Sequence, residues 1–282
     1  MIAMHVTPLI DPAHRERFAW LAAGDDGRPL GTAFLWLPAA GHTADVQITV
    51  HPAERRQGVG TRLLEALTGA AAEHGIRALL TEPVRPGEDG FCRARGFREV
   101  LALTYTRLAL KDAEPVAEPV PGYRLAHWEG AVPAELADTF VQARSAMDDM
   151  PMGDTAYVTL AWDVTRLHAV AEAVAKRGET LCTTAAITPD GTMAGFTELV
   201  VPAEGAGDAQ HYGTGVLPAH RGRGLARWMK AAQISRVRAN FPRLDGLLAD
   251  TADSNTAMRR TNGSLGYVPT HRSLLYQRDL PA

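Results

Sequence analysis

The chain has 282 residues, about twice the commonest domain size, which leaves room for one large domain or two moderate ones. With 46% hydrophobic and 22% charged residues and a formal charge of −3, it is neither disordered nor collagen-like. It also lacks the basic excess or tail of a nucleic-acid or anionic-membrane binder, so neither partner is expected.

Cys92 and Cys182 are far apart and show no paired zinc or disulfide spacing, so no metal is expected and a reducing compartment fits. The apolar stretches are too short to span a bilayer. Met1 to Leu9 lacks both the basic lead and the apolar core of a secretory signal. The expected location is cytoplasmic.

The first seventeen residues have room for one strand and a turn of helix. Alternation then predicts strands at Phe18–Ala23, Arg28–Leu37 and Ala44–Val50. Leu63, Leu64, Leu67 and Ala71 recur at helical spacing over Val59–His74, and Gly75 stands where a C-cap belongs. A strand at Ala78–Thr81, a short helix at Glu88–Arg95 stopped by Gly96, and a strand at Val100–Leu110 follow.

Residues 111–122 read KDAEPVAEPVPG, proline-rich and without apolar periodicity, and predict an extended linker at 112–122 between domains 1–111 and 123–282. The second half opens with a strand at Tyr123–His127. A helix begun by Pro133 carries Leu136, Phe140, Ala143 and Met147 on one face, and a second helix is capped by Asp163. Strands at Thr180–Ile187, Thr192–Val201 and Gln210–Val216 come next. A helix at Arg223–Ala239, a strand at Gly246–Asp250, a helix at Asn255–Leu265 and a strand at Ser273–Arg278 complete the order.

The two halves repeat. VHPAERRQGVG (50–60) aligns with VLPAHRGRGLA (216–226), RGF (95–97) with LGY (265–267), and LTYTR (103–107) with LLYQR (274–278). Each copy of R-x-x-G-x-G/A follows an apolar strand and opens a helix. Such a turn directs bare backbone N–H groups and the positive end of the helix dipole at one point, which suits a diphosphate. The candidate phosphate-binding residues are Val50, Arg55, Arg56, Gln57, Gly58, Val59, Gly60 and Thr61 in the first half. In the second they are Val216, Arg221, Gly222, Arg223, Gly224, Leu225 and Ala226.

The turn, with the later N-x-x-M-x-x-x-N-x-x-L-G-Y run (Asn255, Met258, Asn262, Leu265, Gly266, Tyr267), resembles the GNAT superfamily of acyl-CoA-dependent N-acetyltransferases. The resemblance recurs once per half, in an arrangement similar to that of tandem acetyltransferases of the mycothiol-synthase type. It implies an α/β fold: two tandem GNAT folds, each a mixed, mostly antiparallel sheet splayed after its fourth strand, with helices on both faces.

Acetyl-CoA is the implied co-substrate. Its diphosphate would lie on the turn and its pantetheine along the strand, with Asn255 and Met258 at the pantetheine and oxyanion donors on the backbone near Gly215 and Val216. The acceptor would be the primary amine of a small molecule, and the protein a monomer or homodimer.

Amide formation needs a base, for which the second half offers Glu198, His211 and Tyr212, and the first half Asp45. The tyrosine that the family often places four residues before the final glycine is Cys92 in one copy and Asn262 in the other; Asn262 can still hydrogen-bond the sulfur region. Cys92 reads as a packed apolar residue. Asp148, Asp149 and Asp154 in the MDDMPMGD loop would favour a cationic acceptor. The second half, with its two extra helices, is expected to be catalytic and the shortened first half to be a degenerate partner that can still hold CoA. The alternatives are a non-catalytic acyl-CoA-binding or sensing protein and an acetyltransferase of the mycothiol-synthase type.

Overall fold

The structure is a computed structural model describing residues 3–9, 16–83, 87–116, 118–158 and 160–281. In chain order the first half forms β1 (Met4–Leu9), β2 (Arg17–Gly24), β3 (Pro29–Trp36), β4 (Thr43–Val50), α1 (Val59–Glu73), β5 (Ala78–Thr81), α2 (Glu88–Ala94) and β6 (Arg98–Ala109). The second forms β7 (Arg124–Glu129), α3 (Ala134–Arg144), α4 (Val164–Lys176), β8 (Thr180–Ile187), β9 (Met193–Val201) and β10 (Ala206–Val216). These are followed by α5 (Leu225–Asn240), β11 (Arg243–Ala252), α6 (Thr256–Ser264) and β12 (Val268–Asp279). The elements match those expected, in type and order. The turn of helix anticipated early in the chain falls at 10–15, outside the described residues, as does residue 117 of the linker.

Two compact units emerge, and they interleave along the sequence. Unit 1 comprises Met1–Ala102, Gly153–Leu160 and Ser273–Ala282; unit 2 comprises Leu103–Met152 and Ala161–Arg272. The expected boundary at 111/123 therefore differs from the observed division, because the closing strands change places. In unit 2, β6 pairs antiparallel with β11 from Leu103↔Ala252 to Ala109↔Gly246. In unit 1, β12 pairs with β5 from Tyr276↔Thr81 to Asp279↔Ala78. The two closing segments, LTYTR and LLYQR, share Leu, Tyr and Arg at their first, third and fifth positions. Within unit 2, the carbonyl of Ala113, a residue of the expected linker, accepts from Arg238 Nη1 at 2.6 Å.

Unit 1 has the strand order β1-β2-β3-β4-β5-β12 and unit 2 the order β6-β11-β10-β9-β8-β7. In each unit one pair of neighbours is parallel: β4 with β5, and β10 with β11. Both parallel pairs are short. β4 and β5 pair only from Thr43↔Ala78 to Asp45↔Leu80, so Val46–Val50 leave β5 behind. β10 and β11 pair from Ala206↔Arg243 to Gln210↔Leu248, so His211–Val216 do the same. The backbone edge beyond each divergence is open to a ligand that can complete the ladder.

In unit 1, Leu63, Leu64, Leu67 and Ala71 of α1 pack on Ala22, Ala33, Leu35, Ala44 and Val46, with Tyr276 closing the core. In unit 2, β8 and β9 are buried almost throughout, because α5 covers one face and α3 and α4 the other. Among the described residues no helix is long and apolar enough to cross a membrane.

Candidate functional site

Each glycine turn has the backbone that phosphate binding requires. Gly58 caps α1 at φ 92° and Gly224 caps α5 at φ 85°, with no side chain among the described residues capping either helix. Two residues earlier the chain also turns left-handed, at Arg56 (φ 63°) and Gly222 (φ 76°). A Cβ is strained at these angles, which accounts for three of the four being glycine. The lead arginines behave alike: Arg55 Nε donates to the Val50 carbonyl at 3.5 Å, and Arg221 Nε to the Val216 carbonyl at 2.8 Å.

The surroundings of the two turns differ. In unit 1 a cavity of about 570 Å³ opens beside the turn. Its apolar wall includes Val46, Ile48, Val50, Phe91 and Phe97, and Arg55, Arg56, Gly58, Gly60 and Thr61 stand at its polar end. Arg95 donates to Thr61 Oγ1 at 2.7 Å, and Gln57 Nε2 to the Ala53 carbonyl at 3.1 Å. Val59 is buried in the core beneath the turn.

A diphosphate fits the bare helix start and its arginines, and an extended amide-bearing arm fits the unpaired edge of β4. This volume lies in the range of small-molecule sites.

In unit 2 Arg221 is already engaged. Its Nη1 and Nη2 donate to the two carboxylate oxygens of Asp149 at 2.5 and 2.8 Å. This bidentate contact holds the Asp149 carboxyl below its usual range. Asp149 thus sits at the turn rather than beside an acceptor as the sequence suggested. One face of β10 is also covered: a Cβ added at Gly215 would lie 3.0 Å from Ala146 Cβ and 3.3 Å from Met147 Sδ. Gly222 and Gly224 keep open space around them, Leu225 is buried, Ala226 is half-buried and Arg223 is exposed.

The proposed bases and acids of unit 2 lie mostly in its interior. Glu198 on β9 is 2% exposed and receives Arg144 Nη2 at 2.6 Å. Arg144 lies over the rings of Phe140, Phe196 and Trp162 at 4.7, 4.7 and 4.1 Å. Burial raises the Glu198 pKa and lowers that of Arg144, and their mutual attraction opposes both shifts. A carboxylate locked this way is a buried ion-pair partner rather than an accessible base, which corrects its expected role.

His211, the first β10 residue past the divergence, is likewise buried, with Nε2 2.6 Å from Tyr267 Oη and Nδ1 3.3 Å from the Glu198 carbonyl. Desolvation and the neighbouring Lys230 push its pKa well down. Lys230 of α5 is 1% exposed, with Nζ 5.1 Å from the Tyr267 ring centroid, and burial brings its pKa to about 7.

Tyr212 is exposed, and its hydroxyl accepts from Arg177 at 2.8 Å. Asn262 is buried, donating to Thr251 Oγ1 at 3.3 Å while its Oδ1 has no partner among the described residues. Asn255 caps α6, its side chain accepting from Met258 N at 3.1 Å. Cys92 is packed in the unit 1 core, where burial pushes its thiol up to about 11.

The residues that sequence reasoning missed are Arg144, Lys230, Tyr267 and Tyr157. Arg144 sits four positions after Phe140 on the buried side of α3, and Lys230 is one of only three lysines in the chain. Among the described residues no group of three or more His, Cys, Asp or Glu is placed to hold a metal ion.

The acetyltransferase (GNAT) family model matches residues 4–97. The chain is 30% identical over 260 residues to a mycothiol acetyltransferase of Nocardia farcinica, covering 91% of this chain and 81% of that protein. It is 29% identical to the mycothiol acetyltransferase of Clavibacter michiganensis, covering 77% of this chain and 66% of that protein. Among solved structures, a tandem GNAT protein from the clavulanic acid biosynthesis pathway superposes with a TM-score of 0.74 at 26% identity, over 94% of this chain and 84% of that one. The fold of a GCN5-related N-acetyltransferase from Sphaerobacter thermophilus also matches, with a TM-score of 0.70 at 18% identity over 93% of this chain and 80% of that one. The chain belongs to the GNAT acetyltransferase family, as a tandem member and an N-acetyltransferase.

Proposed function

We propose that the protein moves the acetyl group of acetyl-CoA to the primary amine of a small molecule, and that the coenzyme docks in unit 1. The observation carrying this reading is the 570 Å³ cavity that joins the Gly58 turn to the unpaired edge of β4. The coenzyme supplies an activated acetyl thioester. Arg55, Arg56 and the start of α1 neutralise its diphosphate, while Val46–Val50 align its arm and exclude water. The family-model match at 4–97 supports the same unit, which the sequence alone marked as the lesser one.

Acetyl-CoA titrated calorimetrically into wild type, Arg55→Ala and Arg221→Ala tests the docking site. Arg55→Ala should weaken binding by about 10-fold and Arg221→Ala by less than about 3-fold. The reverse order would refute it.

A second reading, favoured by the equal geometry of the Gly224 turn and the β10/β11 divergence, keeps transfer in unit 2 as expected from its added helices. It requires Asp149 to release Arg221. The relatives' names make the cysteinyl pseudodisaccharide precursor of mycothiol the first acceptor to try.

A further inference from the structure

The segment Gly153–Leu160 comes from the second half of the sequence but belongs to unit 1. Three backbone anchors strap it there. Asp154 N donates to the Val100 carbonyl at 3.0 Å, Ala156 N to Gln277 Oε1 at 2.7 Å, and Thr43 Oγ1 to the Ala156 carbonyl at 2.8 Å. The next residue, Tyr157, donates its hydroxyl to Asp45 Oδ1.

Asp45 is the last β4 residue paired with β5, and Val46, the first lining residue of the cavity, follows it. Strand alternation puts Asp45 and Gln47 on the face away from α1, where Trp36 stands directly opposite Asp45 in the register with β3. Trp36 stacks on Phe34 with centroids 5.6 Å apart. Oδ2 of Asp45 has no partner among the described residues.

Coenzyme bound by its diphosphate at the Gly58 turn and extended back along β4 would bring its thioester to the point where the strands rejoin. We propose that Asp45 and Tyr157 are the proton-transfer pair of unit 1, and that Asp45 with Trp36 receives a small, positively charged primary amine. The proposal rests on acetyl-CoA docking in unit 1.

The ammonium group gives its first proton to Asp45 Oδ2, and the freed lone pair forms the C–N bond at the thioester carbonyl. The C–S bond then breaks as nitrogen loses its second proton to water. The departing thiolate takes the Tyr157 hydroxyl proton, and the Asp45 carboxyl, turning its protonated oxygen to the phenolate, restores it. For each amide formed, one CoA thiol forms and one proton enters solvent. The carboxylate and the indole face together select a cation, as a carboxylate beside an aromatic ring does elsewhere. Strapping holds the phenol in place before substrate arrives.

The test uses the full chain as wild type, Asp45→Asn, Asp45→Glu and Tyr157→Phe. Thiol release from acetyl-CoA is followed with glucosamine, tyramine and a cysteinyl amine, and acetyl-CoA affinity is measured by calorimetry. Asp45→Asn should lower kcat about 100-fold and Tyr157→Phe about 10-fold, with coenzyme affinity within about 2-fold of wild type and partial recovery in Asp45→Glu. Both side chains reach the surface, and unchanged melting curves verify folding.

The pair is overturned if Asp45→Asn keeps kcat within about 3-fold of wild type, or if wild type binds acetyl-CoA yet acetylates none of the three amines. If wild type does not bind acetyl-CoA, or Arg55→Ala binds it as wild type does, the docking reading fails first and the pair falls with it.

Discussion

Lys230 is an ammonium-bearing residue that folding forces out of water, and its cost can be worked from the structure. Its pKa is about 7 in the folded protein against 10.5 for the unfolded residue, with burial as the cause. Between these values the unfolded state holds the extra proton, so this residue's contribution to stability rises with pH across pH 7 to 10.5. At pH 8 linkage gives a penalty of about 3 kcal/mol, which falls below about 0.5 kcal/mol at pH 10.5.

Lys230→Met keeps the length of the side chain and removes the titration. Urea unfolding of both proteins at pH 8 and at pH 10.5 isolates the effect, because the buried tyrosines and cysteines titrate alike in each and cancel in the difference. The variant should be more stable at pH 8 by up to about 3 kcal/mol, and that advantage should shrink towards zero by pH 10.5. A difference that stays constant with pH, or a variant less stable at pH 8, refutes the reasoning.

Breaking the Arg144–Glu198 pair from one side, as Arg144→Met or Glu198→Gln, should cost about 3–5 kcal/mol in urea unfolding, because one buried group loses its partner. Glu198→Leu with Arg144→Met should recover most of that loss, a non-additivity read from the same melts. Asn255→Ala removes the cap accepting from Met258 N and should destabilise by about 1 kcal/mol. Alkylation of Cys92 in the native protein should be slow at neutral pH, since burial holds the thiol protonated; mass spectrometry with and without urea checks it.

What was legible in the sequence were periodic features. Leu63, Leu64, Leu67 and Ala71 announce α1, and the repeated R-x-x-G-x-G/A announces both turns, because a left-handed backbone selects glycine locally. Long-range geometry was not legible. The sequence offers Glu198 as a base, but the partner that occupies it, Arg144, is 54 residues away. Tyr157 is 112 residues from Asp45 and joins unit 1 only because the strap folds back. Nor does spacing distinguish an arginine with space before it, as at Arg55, from one held by an aspartate, as at Arg221.

The exchange of closing strands sets an order on biosynthesis. Unit 1 takes its last ladder, Tyr276↔Thr81 to Asp279↔Ala78, from residues about two hundred positions further along the chain than β5. The nascent first half must therefore wait at the ribosome with β5 bare on that side. A gene cut at the linker would give two products, each without the strand that finishes its sheet.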